Sequence, residues 1–85
     1  MANETVYEAN DFPYAIISAV TPSNTVDLSF TTRGIYVGGT GDIVLITING
    51  NTVTFKAVPV GTVLRVQATR IEATGTTATN LLAMA

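Results

Sequence analysis

The sequence predicts a small all-β protein: an antiparallel β-sandwich or flattened barrel of about six to seven short strands, preceded by an extended N-terminal arm. Three observations carry this. Two β-prone runs flank Asn49-Gly50, a pair suited to the positive φ angles of a tight hairpin. Residues 62–73 alternate, with Leu64, Val66 and Ala68 on one face and Val63, Arg65, Gln67 and Thr69 on the other. No helical period of useful length occurs anywhere in the chain.

Taken in order, residues 1–14 show no clean period. They carry Val6, Tyr7, Phe12 and Tyr14 among Glu4, Glu8 and Asp11, and read as an arm. Fully extended, about thirteen residues reach roughly 40 Å, beyond the width of so small a domain. The arm's aromatics are expected to leave their own sandwich and anchor on a neighbouring subunit or on the larger assembly that the protein sits on. The domain itself is assigned to residues 15–85. Residues 15–21 are rich in β-branched side chains and stop at Pro22-Ser23-Asn24, a strand followed by a turn. Residues 27–32 are a connection or a short edge strand. A second strand covers 33–37 and closes at Gly38-Gly39-Thr40-Gly41. A phosphate cradle would need a helix after that glycine cluster to aim its amides, whereas residues 42–48 are strand-like. The cluster therefore reads as a plain loop, with Asp42 capping it.

The central hairpin, residues 42–58, is predicted to turn on two residues, Asn49 and Gly50, in type I′ geometry. Val58-Pro59-Val60-Gly61 suits a type I turn leading into a further hairpin, whose second arm is a single strand over 62–73. Residues 74–80 are a Thr-rich loop, and 81–85 form a final apolar strand.

Composition limits what such a domain can do. Eighty-five residues make one domain that buries only about 60 to 65% of its unfolded surface. There is no cysteine and no histidine, which removes disulfides, thiolate chemistry and the commonest zinc ligands. The carboxylates stand singly, and the serines have no base near them in sequence, so the chain is expected not to be an enzyme; no catalytic residue, metal ligand or cofactor is assigned. A net charge of −2 with four basic residues argues against nucleic acid as a partner. The absence of a long apolar run and of a signal-like start points to synthesis in a cytoplasm, with no membrane partner.

Charged residues are 12% of the chain, where about 25% is usual. So little charge protects poorly against association, which suggests a homo-oligomer or a subunit buried in an assembly. Candidate partner contacts are Val6, Tyr7, Phe12 and Tyr14 of the arm together with Arg33, Arg65 and Arg70. Those guanidinium groups can pair with carboxylates or carbonyls across a boundary, or simply cover apolar surface with their stems.

Several blocks in order, Ala19-Val20-Thr21-Pro22-Ser23-Asn24-Thr25, Thr32-Arg33-Gly34-Ile35-Tyr36-Val37-Gly38, Gly41-Asp42, Val53-Thr54-Phe55, Val58-Pro59-Val60-Gly61-Thr62 and residues 73–80, carry a family likeness. The sequence resembles the head spike base proteins of tailed bacteriophages and gene transfer agents over roughly residues 15–82. The resemblance implies a structural virion protein: a homo-oligomer on the capsid exterior, made in the bacterial host cytoplasm. It would bind the major capsid protein and carry or replace a spike fibre. Two other readings stay open, a cement protein at capsomer junctions and a small glycan- or peptide-binding β module.

Overall fold

The structure, a computed structural model, describes residues 14–85. It is all β. Seven strands form, β1 (Ile17–Ala19), β2 (Gly34–Tyr36), β3 (Gly41–Thr47), β4 (Thr52–Val58), β5 (Val63–Leu64), β6 (Ala68–Ile71) and β7 (Leu82–Met84). They make two antiparallel sheets, one ordered β1-β7-β2-β5 and the other β4-β3-β6. The sheets share one core. Ile35 of β2 meets Ile43 and Leu45 of β3 and Ala68 and Ile71 of β6, with Val37, Val58, Ala78 and Leu81 from the strand ends and loops. Each of the large aliphatic side chains removed from water there contributes about 1.5 to 3 kcal/mol.

The hairpin forms, but its loop has three residues and not two. Thr47 accepts from the Gly50 N–H (2.8 Å), and its own N–H donates to Asn51 O (2.8 Å). Only Gly50 is left-handed, at φ 88°; Asn49 is not. This is the alternative loop, a type I turn closed by a left-handed glycine, and it sets the register Leu45 opposite Val53 and Ile46 opposite Thr52. A two-residue turn would slip that register by one position.

The second expected hairpin does not form. Gly61 is left-handed at φ 88° as a turn residue, and Thr62 N–H donates to Pro59 O (3.3 Å), but the turn carries the chain across to the other sheet. There β5 pairs with β2. Residues 62–73 are accordingly two strands, β5 and β6, in different sheets. The alternation holds through the break, with Leu64, Val66 and Ala68 inward and Val63, Arg65 and Gln67 outward. The break is held open by Thr32, which is fully buried: its Oγ1 donates to Val66 O (2.7 Å) and accepts from Ala68 N–H (2.9 Å). Past Ala68 a bulge opposite Thr47 shifts the parity, so that Ala68 and Ile71, three apart, both face the core. Residues 27–32 are a connection.

Candidate assembly surface

The loops on the three-stranded sheet are tied by polar side chains that the sequence had offered to other roles. Asn24 Oδ1 accepts from the Ala73 and Thr74 amides (3.0 and 3.1 Å), and its Nδ2 donates to Thr74 Oγ1 (2.8 Å). Arg70, expected as a partner contact, is engaged within its own chain. Its Nε donates to Asp27 Oδ1 (2.8 Å) and its Nη1 to Asn24 O (3.1 Å), with Glu72 Oε2 at 3.6 Å. These contacts lock residues 22–28 onto β6.

Asp42 does not cap the glycine cluster with its carboxylate. Its Oδ1 accepts from the Ala57 N–H (2.7 Å), with Lys56 Nζ at 3.4 Å from Oδ2. Ala57 is left-handed, at φ 51°, where a bulge in β4 breaks the ladder opposite Asp42. The Ala57 amide first, then the Lys56 charge, hold the Asp42 carboxyl below its ordinary value, against the opposing effect of desolvation. The backbone of Asp42 is used as well: its O accepts from the Thr77 and Ala78 amides, and its N–H donates to Thr77 Oγ1 (2.8 Å). The glycine cluster beside it serves close approach. A Cβ at Gly41 would strike the Ala78 backbone, and one at Gly38 would lie 2.5 Å from Asn80 O. The glycines let two backbones touch, which is a packing role.

The four-stranded sheet is different on its outer side. In register, Ser18, Ala83, Ile35 and Leu64 form its inward row. The neighbouring outward rows are Ile17, Met84 and Gly34, then Ala19, Leu82, Tyr36 and Val63. The paired strand residues of both rows are uncharged, and Arg65, just past β5, continues the first row opposite Gly34; Met84 and Gly34 in that row are buried. Ile17 is 58% exposed and Val63 40%. Tyr14 lies on this side: a Cβ at Gly34 would sit 2.7 Å from the Tyr14 hydroxyl, so Gly34 makes the seat for that ring. Tyr14 thus packs on its own chain, while Val6, Tyr7 and Phe12 lie outside the described residues. Arg33 and Arg65, both exposed, stand at the same end of this sheet, before β2 and after β5. Sequence reasoning proposed these two arginines and Tyr14 separately; the structure brings all three to the four-stranded sheet and places Arg70 elsewhere. The apolar outward rows were missed, because which parity faces outward depends on where the second sheet lies.

Among the described residues there is no enclosed pocket, no cluster of three metal-capable side chains, and no helix long and apolar enough to cross a membrane. The conspicuous surface among the described residues is the outer side of the four-stranded sheet, partly apolar and sparsely charged, of the kind that a neighbouring subunit covers. A chain of a solved capsid of a native gene transfer agent (GTA) particle, computed with C5 symmetry, has the same fold: TM-score 0.79 and 33% identity over 88% of this chain and 87% of that one. The chain belongs to the family of that capsid-particle protein, among the phage-like head structural proteins. No protein-family model and no curated protein matches the sequence.

Proposed function

We infer that this protein is a capsid-associated structural subunit of a phage-like or gene transfer agent head, a homo-oligomeric spike base or decoration protein on the particle exterior. One observation carries the reading: 33% identity to a capsid-particle chain, spread over nearly the whole length of both chains. The sparsely charged outer side of the four-stranded sheet supports it, since a subunit held in an assembly needs surface that can be covered with little burial of charge. The partners are the major capsid protein and further copies of this chain, with a spike fibre as the candidate cargo of a base. No enzymatic step is assigned to a chain without His or Cys.

The test is to image particles from a producing strain with and without the gene by electron microscopy. Particles that lose a defined external density when the gene is deleted, and regain it on complementation, support the reading. Complete particles indistinguishable in the two strains, with the protein left in the soluble fraction, overturn it.

A further inference from the structure

The arm and the domain divide the charge of this chain unevenly. Residues 1–13 hold Glu4, Glu8 and Asp11 and no Lys or Arg, whereas the described residues hold all four basic side chains and the acids Asp27, Asp42 and Glu72. Those three acids are engaged at the three-stranded sheet, Asp42 beside Lys56 (3.4 Å), Asp27 and Glu72 beside Arg70 (2.8 and 3.6 Å). Arg33 and Arg65 lie away from that cluster, exposed at one end of the four-stranded sheet.

That end is where the arm joins the domain. The Ala15 and Ile16 N–H groups both donate to Ala85 O (2.7 and 2.8 Å), and the Tyr14 ring lies against the buried Gly34 of β2. Gly34 stands opposite Arg65 and follows Arg33 in sequence. Adjacent strands are about 4.8 Å apart and three extended residues span about 10 Å, so Asp11, three residues before Tyr14, has the reach to meet Arg65. Glu8 has more than the reach needed for Arg33. Pro13 restricts Phe12 to extended backbone, in which residues two apart share a side. With Tyr14 turned to the sheet, Phe12 turns to it too. The next outward row offers Leu82, Tyr36 and Val63, half-buried or exposed, as a seat for that ring.

We propose that residues 8–13 dock on the outer side of their own chain's four-stranded sheet, with the Asp11 and Glu8 carboxylates on the Arg65 and Arg33 guanidinium groups and the Phe12 ring on the Tyr36–Val63 row. The chain's own arm is the occupant because it is tethered. With Tyr14 already seated, the segment meets this surface at an effective concentration of about millimolar, which a free neighbour has to exceed. Exposed ion pairs hold little by themselves, so the ring supplies the holding and the charges set the direction. Phe12, expected from the sequence to anchor on a neighbour, is thus assigned to its own domain, and the two arginines to contacts within one chain. The β1 side of the face, with Ile17 and Ala19 exposed, remains for a neighbour to cover. The inference concerns the single subunit and does not depend on the assembly it joins.

The chain has no cysteine, so two introduced thiols report one contact on the full-length protein. Asn10→Cys is combined either with Val63→Cys, on the proposed seat, or with Thr52→Cys, exposed on β4 of the other sheet. Under mild oxidation the Val63 combination should close an intramolecular disulfide, seen as a faster-running monomer on non-reducing gels, roughly tenfold faster than the Thr52 combination. Arg33→Glu with Arg65→Glu should abolish that preference, and adding Glu8→Arg with Asp11→Arg should restore it, with thermal melts by circular dichroism confirming that each variant is folded. Equal rates for the two combinations would show that the arm has no seat on this face. Covalent multimers through the Val63 combination would give the face to another copy's arm, and a preference that survives the charge reversal would remove the arginines from the contact. Each of these results overturns the proposal. All are read on the isolated protein, so none bears on the capsid reading, which stands or falls on particle density.

Discussion

The two sheets of this small sandwich are finished in different ways. The three-stranded sheet is completed from within: Asn24, Arg70, Thr32 and Asp42 each satisfy backbone or side-chain groups of loops that would otherwise hang free. The four-stranded sheet is built of strands of two and three residues and shows a sparsely charged, partly apolar outer side, with β1 at its edge. A chain with ten charged side chains, four basic and six acidic, uses several of them where they hold one half together. The other half is left able to be covered. Stability and assembly are therefore expected to be separable by mutation.

The largest effect belongs to the completed half. Thr32→Val keeps the shape but leaves the Ala68 N–H and the Val66 carbonyl without their buried partner, which should cost about 2 to 3 kcal/mol. Urea denaturation should show a lower midpoint at an unchanged slope, and, at temperatures where the variant is folded, an oligomeric state like the parent's. A Thr32 variant as stable as the parent would mean that the break between β5 and β6 closes some other way.

Gly50→Val comes next. Nothing stands within 4 Å of a Cβ there, so the cost is the left-handed backbone alone, about 1 to 2 kcal/mol. Equal melting temperatures for variant and parent would show that the hairpin loop does not depend on this glycine. Asn24→Ala should lose about 1 kcal/mol, because the amides it releases are near the surface and regain water. Its sharper signature is faster amide hydrogen exchange at Ala73 and Thr74 with β1 unaffected.

The smallest effect is electrostatic. The folded-state pKa of Asp42 lies below the ordinary 3.8, so its carboxylate contributes stability that is fully present above that value and is lost as pH falls through the folded pKa. Asp42→Asn can still accept from the Ala57 N–H but has no charge to titrate. Thermal melts from pH 7 downward should therefore show an acid-side loss in the parent that is reduced in the variant. Parallel curves below pH 4 would remove Asp42 from the acid response.

What the chain determined alone is local. The β class, the positions of β1 to β4 and β7 within a few residues, the hairpin at Asn49-Gly50 and the loop character of the glycine cluster follow from alternation and turn chemistry, which act over a few residues. Even the inward parity of Leu64, Val66 and Ala68 was legible. The division of residues 62–73 between two sheets was not, because burial alternates identically whether a strand continues or crosses over. That division is decided by Thr32, more than thirty residues upstream, whose hydroxyl bridges Val66 and Ala68. The hairpin's third loop residue escaped for a related reason: Asn-Gly suits two turn types, and the register against β3 and the bulges selects one. The fate of the arginines was likewise beyond the sequence. Whether a guanidinium faces a neighbour or an internal carboxylate, and whether an edge is covered, depend on segments brought together only when the two sheets close on their shared core.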